Sequence, residues 1–194
     1  GNGGPFLATT TGGPLGNTSF VTFCLEVSEN FSYGSSYTYA LNDGAVNGGV
    51  AGQTSTNYDP VSDATKWLYY QAVTGNYVSW YATVTGSALS ADSGAGFQYA
   101  FWYLENEKTS GEIPTLGLSL ANYAVAHAAD WSPLYASGNR VYALNLTDGG
   151  GGVHQDQLAF QQLAQPVPEP ASLVLFGTGL LFISHRLLKR RRRT

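Results

Sequence analysis

Cys24 is the only cysteine in the 194-residue chain, and its chemistry is the first question that the sequence raises. A lone cysteine has no partner for an intramolecular disulfide. In an oxidising compartment it must be buried, form a disulfide with another chain or take part in another covalent bond. Its neighbours Phe23 and Leu25 are apolar, which favours burial. From this residue alone, packing and chemistry both remain open.

A cysteine hydrolase would need a histidine near Cys24 and an acid or amide that orients that histidine. His127 with Asp130 and His154 with Asp156 are the available pairs. No glycine-rich nucleophile turn surrounds the cysteine. We therefore expect the chain not to be an enzyme.

A glycosidase would need two carboxylates facing each other across a cleft. Glu26 and Glu29 lie three residues apart in a predicted strand, so their side chains are expected on opposite faces. Glu105 and Glu107 lie near the end of a predicted helix and are expected on a solvated face.

No metal or cofactor is expected. One cysteine and three scattered histidines do not make an ordinary zinc site. Asp148 precedes four glycines, a turn with too few ligands for a calcium loop. The glycine pairs lack the Lys-Ser/Thr of a phosphate-binding loop.

Two segments, residues 22–26 and 96–104, resemble the two halves of the thioester domains of bacterial surface adhesins. In that family an aromatic-Cys pair on an early strand meets a hydrophobic-Gln-x-Ala-Ile-Trp helix. Cys24 corresponds to the thioester cysteine and Gln98 to the thioester glutamine, while Ala100 and Trp102 match the helix signature. Residues 155–158, Gln-Asp-Gln-Leu, resemble a later motif of the family. The resemblance covers about residues 20–165.

The resemblance implies that the cysteine sulfur attacks the glutamine carboxamide, ammonia leaves, and an internal thioester remains. Such a bond must be shielded from water. The aromatic residues expected to shield it are Phe23, Phe97, Phe101 and Trp102. An amine or hydroxyl of a surface polysaccharide or protein would then displace the thiolate and become joined to Gln98.

A carbohydrate-binding or structural matrix protein is the alternative that the body leaves open. Its aromatic side chains could form a sugar-stacking face, or they could be divided between core and surface. The residues considered for that face are Tyr33, Tyr37, Tyr39, Tyr58, Trp80 and Tyr81.

The end of the chain has the pattern of a sorting and anchoring tail. Pro168-Glu169-Pro170 precedes an apolar run over residues 171–188, and five of the last six residues are basic. A helix of about 17–25 apolar residues spans a bilayer, so this run is at the short limit. The basic end favours the cytoplasmic side. One transmembrane helix is therefore expected, with the body on the opposite face.

This tail resembles the PEP-CTERM sorting signal of Gram-negative bacteria that make extracellular polysaccharide. The resemblance implies that a membrane exosortase cleaves near Pro168-Glu169-Pro170. The helix would be a transient inner-membrane anchor, and the body would reach the cell surface or the extracellular matrix. The expected domains are thus a body over residues 1–165 and a sorting signal over residues 166–194.

The composition of the body excludes nucleic acid as a partner. Its fixed positive charges are Lys66, Lys108 and Arg140 against twelve carboxylates, which gives a net charge of about −9. Nucleic-acid binding needs a basic face.

The elements that must position Cys24 and Gln98 alternate between strand and helix patterns. Strands are predicted over residues 19–27, 37–41, 139–146 and 157–163, because β-branched and aromatic residues dominate there. Helices are predicted over residues 60–74, 93–107 and 115–130, the second with Phe97, Phe101 and Leu104 on one stripe. The order indicates an α+β fold, a β-sandwich or barrel-like body with a helical insertion.

Overall fold

A computed structural model of the chain describes residues 3–46, 58–90 and 92–164. Gly1–Leu163 forms one compact unit. The predicted transmembrane helix and the sorting signal lie outside the described residues.

The described residues form seven strands and five α-helices, and the helices all lie between the fifth and sixth strands. This confirms the predicted α+β class. The strands are β1 (Phe6–Thr10), β2 (Thr18–Thr22), β3 (Thr38–Asn42), β4 (Gly44–Val46), β5 (Tyr58–Pro60), β6 (Asn139–Thr147) and β7 (Val153–Gln162). The helices are α1 (Asp63–Thr74), α2 (Tyr81–Thr85), α3 (Ser93–Leu104), α4 (Thr115–Ala126) and α5 (Trp131–Ala136).

The helices begin and end where local chemistry requires it. The Ser62 hydroxyl accepts a hydrogen bond from the Thr65 N–H at 3.2 Å and so caps α1, which ends at Gly75 in the left-handed conformation. Helix α3 ends at Leu104, three residues before its predicted end, and Asn106 then turns the chain with a φ of 61°. This early end determines where Glu105 and Glu107 point.

The strands in the described residues form three antiparallel sheets. Strand β6 lies at the centre of the largest sheet, between β3 and β7. The pairs β1–β2 and β4–β5 form separate two-stranded sheets. A register shift between Leu144 and Leu146 interrupts the β6–β7 ladder.

The predicted strand over residues 19–27 is interrupted. Strand β2 ends at Thr22, and Cys24 then forms an isolated antiparallel bridge with Gln157 of β7. The Leu158 N–H donates to the Phe23 carbonyl and the Leu25 N–H to the Asp156 carbonyl, both at 2.9 Å. The chain leaves β1 and passes alongside β7, which places Cys24 between β7 and the helices.

An aromatic core joins the helices to β7. Tyr69 of α1 is fully buried, and its hydroxyl donates to the carbonyls of Val21 and Leu158 at 2.7 and 3.0 Å. The Phe23 ring lies 4.9 Å from that of Phe101 on α3. This core fixes α3 against residues 23–25, the Cys24 segment.

Candidate functional site

The Gln98 side chain lies against the backbone of Cys24. Gln98 is on α3 and has no exposed surface. Its Oε1 accepts hydrogen bonds from the backbone N–H groups of Cys24 and Gly4, both at 2.9 Å. Its Nε2 donates to the Cys24 carbonyl at 2.8 Å. The structure therefore brings together the two residues that the sequence pairs, although 73 positions lie between them.

Gly3 and Gly4 close the site on the side away from the aromatic core. Gly3 has a φ of 73°, and a Cβ atom built on it would lie 2.3 Å from Cγ of Gln98 and 2.8 Å from the Trp102 ring. Only glycine allows this approach and this conformation. Nothing in the sequence marks these residues, because two glycines in a glycine-rich lead-in carry no distinguishing pattern.

Two N–H groups converge on the Gln98 carbonyl oxygen, as in an oxyanion hole. Such donors stabilise negative charge that develops on the oxygen when a nucleophile attacks the carbonyl carbon. The Gly4 N–H also interacts with the Cys24 thiol, and this interaction acts to lower the pKa of the thiol. One backbone group thus faces both the carboxamide and the sulfur-bearing side chain.

The Cys24 thiol is held in its neutral form. Burial is the main reason why its pKa is raised to about 12; the Gly4 N–H opposes this by a smaller amount, and the nearby Glu26 adds a still smaller increase. A thiol with so high a pKa is a poor nucleophile in solution at neutral pH. Any reaction at this sulfur depends on a group held next to it.

We expect a free Cys24 thiol to resist alkylation while the protein is folded. Because its pKa is raised, the thiolate becomes populated only as the pH approaches 12, so iodoacetamide at pH 8 should leave the residue unmodified. Unfolding in denaturant should restore the reactivity of an ordinary cysteine. Mass measurement with and without denaturant tests this. Modification of the native protein at the rate of a small-molecule thiol would contradict it.

All four residues predicted to shield the site are buried. Phe23, Phe97 and Phe101 belong to the aromatic core, and their exposed fractions do not exceed 3%. Trp102 lies on the other side of α3, where its indole N–H donates to the Glu26 carbonyl at 3.3 Å. The site is therefore enclosed by rings on one side and by Trp102 with Gly3 on the other.

The later glutamine-containing segment also reaches this region. Gln157 is the bridge partner of Cys24, and the Gln155 side-chain amide donates to the Glu26 carbonyl. These residues of β7 position the backbone on both sides of Leu25.

Both histidines considered for a hydrolase interact with groups other than Cys24. The His127 Nδ1–H donates to the Asp130 carboxylate at 2.8 Å, and the ring stacks on Trp67 at a ring separation of 5.0 Å. His154 pairs with Asp148 at 3.2 Å and not with the candidate partner Asp156. The turn after Asp148 brings its carboxylate back to the start of β7, whereas Asp156 faces the interior.

The expected positions of both glutamate pairs are wrong. Glu26 and Glu29 do not face opposite sides: with Asp156 they place three carboxylate oxygens within 4.8 Å of one another. Strand alternation does not apply to them, because β2 ends at Thr22. Burial raises the pKa of Glu26 to about 10 and that of Asp156 to about 7.

Glu105 and Glu107 are buried instead of solvated. Glu105 Oε1 accepts hydrogen bonds from the Ser62 N–H and hydroxyl at 3.2 and 2.8 Å, at the N-terminus of α1. Glu107 Oε2 accepts from the Val27 N–H at 3.0 Å. The reversal after α3 turns both carboxylates inward, where they satisfy backbone donors.

Part of the considered sugar-stacking face exists. Tyr33, Tyr37 and Tyr39 line one cleft together with Phe6 and Phe31. Phe6, Phe31 and Tyr33 form a cluster with ring separations between 4.9 and 5.6 Å, and Tyr33 is 77% exposed. The other three aromatic residues lie apart from this cleft: Tyr81 is buried, Trp80 stacks on Trp67 and Tyr123, and Tyr58 is in β5.

In the ranges that the structure describes, no helix combines the length and the apolar character needed to cross a bilayer. The predicted span and the residues Pro168, Glu169 and Pro170 fall beyond those ranges.

Comparison with known proteins gives information about the tail of the chain. No curated protein and no solved structure matches the chain. A protein-family model for the PEP-CTERM protein-sorting motif matches residues 166–193. The chain thus carries at its end a PEP-CTERM protein-sorting motif, which indicates an exported protein sorted by an exosortase.

Proposed function

We propose that the body is a surface protein that forms an internal thioester between Cys24 and Gln98 and uses it to attach covalently to the extracellular matrix. The observation that carries the proposal is the set of three hydrogen bonds that hold the Gln98 carboxamide on Cys24. A buried carboxamide needs hydrogen-bond partners in any case, but here two N–H donors converge on its carbonyl oxygen beside the lone cysteine.

The bond forms in one addition and one elimination. The Cys24 sulfur adds to Cδ of Gln98, and the negative charge that develops on Oε1 is stabilised by the N–H groups of Gly4 and Cys24. The Cδ–Nε2 bond then breaks, and the thiol proton leaves with the nitrogen as ammonia. The products are the Sγ–Cδ thioester and one ammonia molecule.

The thioester reacts once with a target. An amine or hydroxyl of a surface polysaccharide or protein attacks Cδ, the Cys24 sulfur leaves and takes up a proton, and an amide or ester to Gln98 remains. The protein is consumed in this step, so it acts as an adhesin and not as an enzyme. The buried aromatic residues support this chemistry by excluding water until the target arrives.

The tail indicates where this chemistry would take place. We propose that the apolar run anchors the exported chain in the inner membrane with its basic end in the cytoplasm. Exosortase then cuts near Pro168-Glu169-Pro170 and releases the body to the cell surface or matrix. The acidic body suits a partner other than nucleic acid.

A noncovalent carbohydrate-binding or structural matrix protein with the same tail is the second candidate. The cleft lined by Phe6, Phe31 and Tyr33 favours it, because exposed aromatic rings offer apolar faces to sugars. Here Cys24 and Gln98 would serve packing and hydrogen bonding alone.

Intact-mass measurement of the full chain separates the two candidates. We expect a mass lower than the sequence mass by one ammonia, and methylamine should add to Gln98 and expose one thiol. Cys24→Ser removes the sulfur and changes little else, so this matched variant should show the full amide mass and no methylamine adduct. A wild-type chain at full amide mass with one thiol that titrates after unfolding would overturn the thioester and leave the carbohydrate-binding candidate.

A further inference from the structure

Three carboxylates converge where the chain passes from Cys24 along β7. Glu26 and Glu29 come from the segment after β2, and Asp156 comes from β7. One oxygen of each lies within 4.8 Å of the other two. Asp156 is oriented by hydrogen bonds from the Val46 N–H at 2.7 Å and the Asn145 side-chain amide at 2.6 Å.

A second observation shows that this cluster lacks a partner for its charge. Glu26 is 2% exposed, and its Oε1 is buried without a hydrogen-bond partner. The same is true of Oε2 of Glu29. The salt bridges found among the described residues involve Asp63, Asp130 and Asp148, and none involves the cluster. Burying an unpaired carboxylate is costly, so the cluster needs either a proton shared between Glu26 and Glu29 or a positive ligand.

The chemistry of the oxygens indicates the kind of ligand. Calcium takes oxygen ligands at about 2.3–2.6 Å in flexible geometry, and three carboxylate oxygens within 4.8 Å of one another can reach one such ion. Magnesium demands near-ideal octahedral geometry and keeps several of its waters, so a largely buried set of carboxylates suits it less well. An all-oxygen set also disfavours zinc, which is usually bound by nitrogen and sulfur.

We propose that Glu26, Glu29 and Asp156 bind a calcium ion that holds residues 26–29 on β7. The ion would satisfy the unpartnered oxygens of Glu26 and Glu29 while Asp156 keeps its hydrogen bonds. Glu29 also lines a surface cleft with Asn30 and Gln155, which gives the ion a route from solvent. Calcium sites of extracellular modules bind with a Kd of about 0.1–1 mM, a range suited to an exported protein.

Calcium titration of the full chain, purified in detergent, tests the site. We expect CaCl2 to raise the Tm with half-saturation at about 0.1–1 mM, and MgCl2 at equal concentration to give a much smaller shift. Glu26→Gln and the half-buried Glu29→Gln should each abolish the calcium-dependent shift. Glu105→Gln is the matched control, since it neutralises a buried carboxylate outside the cluster and should keep the full shift.

Terbium luminescence gives a second measurement that does not depend on stability. Terbium is a luminescent substitute for calcium, and the Trp102 indole donates to the Glu26 carbonyl at 3.3 Å, close enough to sensitise a bound ion. Emission should appear on terbium addition, fall when calcium is added, and be lost in Trp102→Phe and Glu29→Gln.

Two outcomes would overturn the proposal. One is a wild-type Tm that calcium does not change, together with no sensitised emission. The other combines two results: the wild-type protein shows no calcium response, and Glu26→Gln is more stable than wild type without calcium. Together they would mean that a shared proton, and not a calcium ion, neutralises the cluster. Repeating the titration in Cys24→Ser keeps this test separate from that of the thioester.

Discussion

Gln98→Ala is expected to lower the free energy of unfolding by at least about 3 kcal/mol. The carboxamide satisfies three buried backbone groups, the N–H groups of Gly4 and Cys24 and the Cys24 carbonyl. An unsatisfied buried group costs about 1–3 kcal/mol, and the substitution also leaves a cavity in a fully buried position. Denaturant unfolding of the variant and the wild type measures the difference.

Cys24→Ser is the control for this experiment. It preserves the backbone groups and the carboxamide, so the hydrogen bonds remain while any thioester is lost. We expect it to cost much less than Gln98→Ala. If the two variants lose the same stability, the crosslink and not the hydrogen bonds fixes α3 on the Cys24 segment, and our account of the hydrogen bonds is wrong.

Phe101→Ala is expected to lower the free energy of unfolding by about 3–5 kcal/mol. Phe101 is fully buried and contacts Phe23, Tyr69 and Phe97, with ring separations of 4.9, 6.1 and 6.4 Å. The cavity would lie between α3 and the Cys24 segment, so the variant should also hydrolyse any thioester faster. Chemical denaturation gives the first effect, and the mass of the protein over time gives the second.

Tyr33→Ala provides the matched comparison, because Tyr33 is a large aromatic residue that is 77% exposed. Its loss should change stability by about 0.5 kcal/mol or less. Equal destabilisation by the two substitutions would contradict the position of Phe101 in the core.

Helices α1, α3 and α4 could be predicted from the sequence because their signals are local, whereas the short helices α2 and α5 could not. Ser62 begins α1, Gly75 ends it, and the spacing of Phe97 and Phe101 identifies the buried side of α3. The interruption after Thr22 could not be predicted. Residues 19–27 have strand propensity throughout, and only the pairing of Cys24 with distant Gln157 divides them.

The same limit applies to the candidate site. Cys24 and Gln98 were identified because a family resemblance pairs two segments that no local rule connects. The positions of Glu26, Glu29 and Glu105 could not be predicted, since strand and helix periodicity no longer holds beyond the ends of β2 and α3. The closeness of Gly3 to Gln98 depends on a chain path that leaves no trace in composition.

The pairing of Cys24 with Gln157 also has a mechanical consequence. Strand β7 ends at Gln162, shortly before the sorting tail begins in sequence. A pull on the chain at that end, resisted by a target held at Gln98, would run along β7. The antiparallel contacts with β6 and with residues 23–25 would then be loaded in shear, so that many hydrogen bonds resist together instead of opening one at a time. The candidate attachment point on α3 is thus linked to the end of the body through the backbone of Cys24 and strand β7.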